Sequence, residues 1–310
     1  MSNTGKAIAF GAIFLTVGLG LKLGSAAIFS EKDGSTATAS MIQAVLPEEK
    51  QAFKDISEIP GKKEPKAPET LDIRAGIVID LTSGEEIFSV NKLKRWPLAS
   101  VSKLMSSIVA FENMELDEKV TISENAVATE GVSGGFQAGD VYTVEDLVYS
   151  MMVVSSNDAA IALREAMSDN RFVELMNAKA EEIGMISTYF NEPSGLSILN
   201  QSTASDIGLM IEYAWVNHPE LFSISSGKKV VIKELNSGLR KTLTNINALS
   251  SRRDFIGGKT GYTEDSSENL AAVFSLGGKS VAVIILGAED RANEAEKIIS
   301  FINNDINSSY

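Results

Sequence analysis

Strand-forming segments stand at the two ends of the globular part of this chain, with helix-forming segments between them. Residues 73–81 are rich in β-branched side chains, and turn residues lead from them into a second run, 86–90; this pattern predicts a hairpin. Near the other end, residues 270–276 and 279–286 flank Gly277–Gly278, a pair typical of a two-residue hairpin turn. A sheet built from both ends of the chain, with helices inserted between them, predicts an α+β domain.

Helical periodicity fills the middle of the chain. Thr143 with Asp146 offers a capping pattern at the start of one helix, and Gly184 stops another. The predicted helices span residues 100–112, 143–153, 157–167, 172–183, 202–217 and 292–303.

The N-terminal region differs in composition from the rest. Residues 7–29 are apolar except for Lys22, and at about 1.5 Å per residue they are long enough to cross a hydrocarbon core of about 30 Å. We expect residues 1–29 to form a hydrophobic membrane-anchoring helix; the alternative is a signal peptide cleaved near Ala27. Residues 30–70, with four prolines and a Ser/Thr/Ala run, are predicted to be a flexible linker, and residues 71–305 the globular domain.

Composition excludes several function classes. The chain has 28 Lys and Arg against 41 Asp and Glu, a net charge of −13, so it lacks the basic footprint that nucleic acid requires. It has no cysteine, which excludes disulfides, thiol nucleophiles and iron–sulfur clusters. Its single histidine, His218, precedes Pro219 at a predicted helix end, where a capping or surface role is expected. Catalysis is therefore assigned to Ser, Lys or carboxylates, and no metal or organic cofactor is predicted.

The first motif that carries chemistry is the S-x-x-K sequence at Ser100 and Lys103. At the start of a helix this spacing puts a hydroxyl and an amine on one face. A serine is a poor nucleophile until a base removes its proton, and a lysine is such a base when its pKa is lowered. Alone, this spacing is common in proteins of this length.

Two further motifs follow. Ser155 and Asn157, between two predicted helices, offer a hydroxyl that can relay a proton and an amide that can orient a lysine; alone, they are also typical of an ordinary helix cap. Lys259 and Thr260, between two glycines, could bind a carboxylate, or lie in a turn with a solvated lysine. A phosphate loop is rejected, because Arg253 occupies a position that this motif requires to be glycine.

The order and separation of the three motifs are far more specific than any one of them. S-x-x-K, then S-x-N about fifty residues on, then K-T-G about a hundred further on, is the signature set of penicillin-recognising serine enzymes. The chain resembles the serine D-alanyl-D-alanine carboxypeptidase family, the low-molecular-mass penicillin-binding proteins. The stretches that carry the resemblance are residues 96–105, 155–160, 176–180, 184–185, 193–196, 202–204 and 258–263.

The resemblance implies a role for each motif residue. Ser100 is expected to be the acylated nucleophile, Lys103 its general base and Ser155 the proton shuttle. The backbone N–H groups of Ser100 and Tyr262 are expected to form the oxyanion hole. Lys103 and Lys259, if they converge, should depress each other's pKa. The residues expected to bind substrate are Asn157, Lys259, Thr260, Gly261 and Tyr262.

The resemblance also implies fold, substrate and location. The expected fold is β-lactamase/transpeptidase-like: an antiparallel sheet packed with helices, plus an all-helical subdomain. The expected activity removes the terminal D-alanine from peptidoglycan stem peptides, in cell wall biogenesis and the maintenance of cell shape, with β-lactam antibiotics as covalent inhibitors. The expected location is the extracytoplasmic face of the bacterial membrane, or outside the cell if the N-terminal segment is cleaved.

Three alternatives stay open. Residues 190–197 favour relatives that cleave D-alanyl cross-links, which makes a D-alanyl endopeptidase the nearest rival. Glu192 resembles the deacylating glutamate of a class A β-lactamase, although the Ser-Gly-Leu sequence at 194–196 fits the peptidases better. A non-catalytic wall-binding module would normally lose Ser100, Lys103 or Lys259, and all three are present.

Overall fold

The computed structural model describes residue 68, residues 70–167 and residues 171–308, with side chains as far as residue 304. These residues all belong to one compact unit. The predicted anchor lies outside the described residues, as does the predicted linker except for residues 68 and 70. In the part described, no helix is both long enough and apolar enough to span a membrane.

An antiparallel sheet joins the two ends of the described chain, with strands in the order β2-β1-β11-β10-β9. Three short pairs, β3 with β6, β4 with β5 and β7 with β8, lie outside it. The strands are β1 (Ala75–Asp80), β2 (Glu85–Val90), β3 (Trp96–Pro97), β4 (Lys119–Thr121), β5 (Val141–Thr143), β6 (Gln201–Ser202), β7 (Lys229–Lys233), β8 (Arg240–Thr244), β9 (Phe255–Thr263), β10 (Ser267–Leu276) and β11 (Lys279–Ala288).

Helices cover both faces of the five-stranded sheet. Side chains alternate along β1, so that Ile77 and Ile79 enter one hydrophobic cluster while Val78 enters another. One face packs against α6 and the other against α8. The helices are α1 (Ser102–Asn113), α2 (Glu124–Val127), α3 (Val144–Val153), α4 (Asn157–Ala166), α5 (Arg171–Glu182), α6 (Ala204–Asn217), α7 (Pro219–Ser226) and α8 (Arg291–Ser308).

The predicted α+β class is confirmed, and so are most of the predicted elements. The turn at Gly277–Gly278 has positive φ at both glycines, as a two-residue hairpin of this type requires. The side chain of Thr143 caps α3 by accepting a hydrogen bond from the backbone N–H of Asp146 at 3.1 Å. His218 lies between α6 and α7, where its ring nitrogens contact the carboxylates of Glu112 and Glu220.

Some elements depart from the prediction. The helix expected from Ser100 begins at Ser102, because Ser100 lies in a short 3-10 turn, Ala99–Val101, that precedes α1. The last helix reaches Ser308, five residues beyond the expected end. Strands β7, β8 and β9 and helix α7 were not predicted, and β9 contains the whole K-T-G sequence.

Candidate active site

Ser100 lies in a strained turn at the entrance to α1. Ala99, directly before it, has a φ of +47°, in the left-handed region that residues other than glycine rarely adopt. The turn runs into α1, so Lys103 follows on the same side, and its Nζ donates to Ser100 Oγ at 2.9 Å. Strain of this kind persists only where the surrounding structure holds it, and it is common at functional sites.

Two buried asparagines hold the segment that leads into this turn. The side chain of Asn269, on β10, donates to the carbonyl oxygens of Pro97 at 2.8 Å and Leu98 at 3.1 Å. The backbone N–H of Leu98 donates to the carbonyl of Asn200 at 2.9 Å, and the side chain of Asn200 donates to Ser102 Oγ at 3.0 Å. These contacts fix the position of Ser100 relative to the sheet.

Lys103 is fully buried, and its amine contacts only neutral oxygen atoms. Besides Ser100 Oγ, Nζ lies 2.6 Å from Asn157 Oδ1 and 2.6 Å from the carbonyl oxygen of Ser194. Burial lowers the pKa of Lys103 to about 7, against the opposing effect of the carboxylates of Glu192 and Asp158. The amine is therefore able to lose its proton near neutral pH.

The three oxygen atoms around Nζ dictate how a neutral amine sits. Neither the amide oxygen of Asn157 nor the carbonyl of Ser194 can donate a proton, so each must accept one from Lys103. A neutral amine has two N–H bonds and one lone pair, and these two acceptors take both N–H bonds. The lone pair then faces the hydroxyl of Ser100, which is the geometry a general base needs.

The turn between α3 and α4, which contains the S-x-N sequence, places Ser155 and Asn157 in the site. Ser155 has a φ of +62°, and the side chain of Ser156 caps α4 by accepting from the N–H of Ala159 at 3.0 Å. The side-chain amide of Asn157 donates to the carbonyl of Glu130 at 2.7 Å. That bond orients the amide so that its oxygen faces Lys103.

Lys259 lies on β9, the edge strand of the sheet, and is almost completely buried. Its Nζ donates to Ser155 Oγ at 2.9 Å and to the carbonyl of Thr260 at 2.8 Å. Burial lowers its pKa well below the ordinary value, and the positive charges of Lys103 and Arg291 lower it further. Burial is thus the main cause of the lowered pKa at both lysines. The mutual repulsion expected from the sequence lowers the pKa of Lys259 only, since the charges that act on Lys103 are the two carboxylates.

The end of β9 packs directly on the turn that contains Ser100. A Cβ at Gly261 would lie 2.8 Å from the carbonyl oxygen of Leu98 and 3.0 Å from the backbone nitrogen of Ser100, so the contact requires glycine. Thr260, before it, is buried, whereas the side chain of Tyr262, after it, is 63% exposed. The K-T-G sequence is therefore a strand edge that faces Ser100, and the solvated-lysine alternative is wrong.

Arg291 belongs to the site and was missed from the sequence. It is the first residue of α8, and its guanidinium donates to the carbonyl of Gly261 at 3.1 Å and lies 3.5 Å from the carboxylate of Glu268. A positive charge at a helix N-terminus opposes the helix dipole. In the sequence, this unfavourable position of a positive charge was the only indication that Arg291 contacts another part of the protein.

The carboxylate of Glu192, the residue that resembles a deacylating glutamate, is engaged in hydrogen bonds within its own loop. One carboxylate oxygen accepts from the N–H and hydroxyl of Ser194, at 2.6 and 2.5 Å, and the other accepts from the N–H of Gly195 at 2.6 Å. Both oxygens are engaged within the residue's own loop. The β-lactamase alternative therefore has no support in the geometry.

The structure brings the sequence-predicted site residues together. Direct contacts join Ser100 to Lys103 and Lys103 to Asn157. A further contact joins Ser155 to Lys259. Thr260, Gly261 and Tyr262 continue the edge strand past Ser100. Their placement is observed, and the role of each in catalysis stays a prediction.

A Ser-x-x-Lys pair at the entrance to a helix, a Ser-x-Asn turn and a Lys-Thr-Gly edge strand around one serine define the class of penicillin-recognising serine enzymes. The sequence model of the family described as D-alanyl-D-alanine carboxypeptidase (peptidase S11) matches residues 62–290. The chain belongs to this family.

Individual relatives agree with this assignment. D-alanyl-D-alanine carboxypeptidase DacC of Escherichia coli (strain K12) is 31% identical over 249 residues, 75% of this chain and 61% of that protein. The D-alanyl-D-alanine endopeptidase of Pseudomonas aeruginosa is 30% identical, over 69% of this chain and 71% of that protein. The ampicillin-bound crystal structure of penicillin-binding protein D2 from Listeria monocytogenes is 28% identical, with a TM-score of 0.68 over 76% of this chain and 99% of that one. The chain spans about three fifths of the length of carboxypeptidases such as DacC.

Proposed function

We propose that this protein is a serine D-alanyl-D-alanine carboxypeptidase, which removes the terminal D-alanine from peptidoglycan stem peptides through an acyl-enzyme on Ser100. One observation carries the proposal: the buried amine of Lys103 lies 2.9 Å from Ser100 Oγ while two carbonyl acceptors take its other bonds. This pair is sufficient to activate the serine, because a neutral amine next to the hydroxyl can remove its proton.

Acylation follows from this geometry. The neutral amine of Lys103 takes the proton of Ser100 as Oγ attacks the carbonyl carbon of the penultimate D-alanine. The oxyanion that forms is stabilised by the backbone N–H groups of Ser100 and Tyr262, and such donors are typically worth a few kcal/mol each. When the peptide bond breaks, the leaving amine takes a proton that passes from Lys103 through the hydroxyl of Ser155. Water then hydrolyses the ester and restores Ser100.

The terminal carboxylate of the substrate binds at the edge strand. Lys259 and Thr260 supply a cation and a hydroxyl there, and Arg291 adds a second positive charge beside Gly261. A carboxylate arriving next to Lys259 favours the protonated amine and so reverses the depression of its pKa. This local positive charge suits a small anionic substrate on a protein whose net charge is −13.

The test is mass spectrometry of muropeptides incubated with the full-length protein and with Ser100→Ala. The wild-type protein is expected to remove one alanine from pentapeptide monomers, and the variant to leave them intact. The same variant should lose covalent labelling by penicillin while it keeps its fold. Labelling that persists in Ser100→Ala would contradict the assignment of the nucleophile.

A D-alanyl endopeptidase is the second candidate, favoured by residues 190–197. Glu192 and Ser194 form a carboxylate-centred turn against the catalytic lysine, and the sequence of this loop is the feature that favours the cross-link-cleaving relatives. The match also covers more of the endopeptidase relative, 71%, than of DacC, 61%. In the muropeptide experiment, splitting of cross-linked dimers with monomers untouched would place this function first.

The proposed partners and location follow from the same function. Stem peptides are the substrates and β-lactams the covalent inhibitors, a proposal that the ampicillin-bound relative supports. Residues 1–29 are proposed to anchor the protein in the membrane and residues 30–70 to connect the anchor to the catalytic domain, on the extracytoplasmic face. The apolar run at 7–29 supports this, and secretion after cleavage near Ala27 is the alternative.

A further inference from the structure

The loop that touches Lys103 is folded around a single carboxylate, that of Glu192. Its oxygens accept hydrogen bonds from the backbone N–H groups of Ser194 at 2.6 Å, Gly195 at 2.6 Å and Ser197 at 3.3 Å. The hydroxyl of Ser194 donates to it at 2.5 Å. Hydrogen bonds to an ionised acceptor are roughly twice as strong as neutral ones, so this carboxylate fixes the orientation of the peptide units in residues 193–197.

One of these peptide units reaches the catalytic lysine. The carbonyl of Ser194 and the N–H of Gly195 belong to the same planar peptide group and point in opposite directions. The N–H donates to Glu192, and the carbonyl accepts from Lys103 Nζ at 2.6 Å. A rotation of this peptide group would break both bonds together. Gly195 has a φ of +85°, and a glycine offers little resistance to such a rotation.

The same peptide group also packs on the nucleophile. A Cβ at Gly195 would lie only 1.9 Å from the carbonyl oxygen of Ala99 and 2.9 Å from the backbone nitrogen of Ser100. The loop is thus in close contact with both members of the reacting pair. A change in its orientation alters the acceptor of Lys103 and the packing of the Ser100 turn at once.

The backbone before this turn is held without help from the carboxylate. The side chain of Asn200 donates to the carbonyl of Glu192 at 2.8 Å and accepts from its N–H at 3.2 Å. Ser106 Oγ, on α1, donates to the carbonyl of Pro193 at 2.7 Å. Loss of the carboxylate therefore acts on residues 194–197 and leaves the path of the chain through residues 191–193 in place.

We propose that Glu192 is a positioning residue of the active site, whose carboxylate locks the 194–195 peptide group so that its carbonyl aims the lone pair of Lys103 at Ser100. The inference rests on the proposed function, because it assigns Lys103 as the base. Charged groups near Lys103 are the carboxylates of Glu192 and Asp158, which favour its protonated form, and the amine of Lys259, with Arg291 beyond it.

The test measures the second-order rate constant of acylation of Ser100 by a β-lactam, per titrated active site, from pH 5 to pH 9. Glu192→Gln keeps the size of the side chain but cannot accept from all four donors. Because misplacement of a catalytic group by about 1 Å can cost about 100-fold, the plateau rate is expected to fall by about tenfold or more. Loss of a negative charge near Lys103 should also shift the acid limb, the part of the pH profile in which the rate rises with pH, to lower pH. A loss of folded protein alone would not shift it.

Two further variants distinguish the effect of the position of the Glu192 carboxylate from the effect of its charge. Glu192→Asp keeps the charge but is one methylene too short to reach the same amides, so its acid limb should stay in place while its plateau falls. Asp80 provides the control, because its carboxylate also holds a turn, β1–β2, by accepting from the backbone N–H of Thr82 at 2.9 Å, and lies on another loop. Asp80→Asn should acylate at the wild-type rate with the wild-type pH profile.

The outcomes are distinct. Wild-type plateau and acid limb in Glu192→Gln would overturn the inference while leaving the proposed function intact. If Glu192→Gln does not fold, Glu192→Asp decides, and a wild-type plateau in that variant overturns the inference. If wild-type protein itself is not acylated at Ser100, the proposed function fails, whatever the variants do.

Discussion

Lys103 owes its properties to the kind of atoms around it. Its amine is fully buried and meets a hydroxyl, a side-chain amide and a backbone carbonyl, none of which carries a charge. The carboxylates of Glu192 and Asp158 favour its charged form from beyond direct contact. The balance between burial and these carboxylates brings its pKa to about 7, where a base is most useful at neutral pH.

This pKa predicts the pH dependence of acylation. The value lies below the ordinary pKa of lysine, so the amine is neutral, and able to act as a base, above about pH 7. The acylation rate constant of the free enzyme should therefore rise with pH through about 7 and then level off. Lys103→Arg should abolish acylation, because a guanidinium is never neutral in a protein. A profile that is flat from pH 5 to pH 9, or that rises only near pH 10, contradicts the role of Lys103.

Only part of the site was predictable residue by residue. Ser100 and Lys103 were found because a helix places residues three apart on one face. The carbonyl of Ser194 was not, since a backbone acceptor leaves no mark in the sequence. Arg291 was missed because its partner, the carbonyl of Gly261, is thirty residues away in sequence and meets it only after α8 packs on the sheet.

At the scale of elements, the segment between α2 and β5 holds the S-x-N turn in place. The backbone N–H of Asn157 donates to the carbonyl of Val132 at 2.8 Å. Asp158, on α4, accepts from the N–H of Gly134 at 2.8 Å, and Lys241, on β8, donates to the carbonyl of Gly135 at 2.7 Å. The segment is thus held from two sides, by a helix and by a hairpin.

Removing one of these hydrogen-bonding side chains should impair the active site, although the side chain lies outside it. Lys241→Ala removes a charged donor from two carbonyl groups, which is worth about 1–2 kcal/mol of unfolding free energy, and frees the segment that orients Asn157. We expect lower stability in urea and a several-fold slower acylation by penicillin. Lys229→Ala, on the exposed part of the same hairpin, is the control and should change neither. Unchanged acylation in a destabilised Lys241→Ala would limit the role of the hairpin to stability.

Elements were predictable where local sequence and tertiary packing agree. The β1–β2 and β10–β11 hairpins combine β-branched runs with turn residues, so the sequence predicted both. Their bounds differ in part, since β10 begins three residues earlier than predicted, at Ser267, and β11 ends two residues later, at Ala288. Strand β9 contains three glycines, which disfavour strands. Packing explains them: a Cβ at Gly257 would lie 2.3 Å from the carbonyl oxygen of Phe222, and one at Gly261 would meet Leu98 and Ser100. The need for close contact overrides the local preference.

At the scale of the molecule, the site forms where distant parts of the chain meet. The Ser100 turn follows the first hairpin, the Ser155 turn joins two helices, and Lys259 comes from an edge strand near the C-terminus. The two-ended distribution of strands predicted that one sheet would unite these regions. The strand order was not predictable, because the segments that pair β1 with β11 are about 200 residues apart and nothing local specifies their partner.

The anchoring proposal gives a prediction for the whole protein. Residues 7–29, at about 1.5 Å per residue in a helix, reach about 34 Å, enough for a hydrocarbon core of about 30 Å. The mature protein should therefore have the intact mass of the full chain and leave the membrane only with detergent. Val17→Arg, which puts a charge next to the middle of the run at a cost of about 3 kcal/mol, should lower the membrane-bound fraction and leave penicillin labelling per molecule unchanged. A mature mass that begins near Ala27, with release into the medium, contradicts anchoring and supports the cleaved signal peptide.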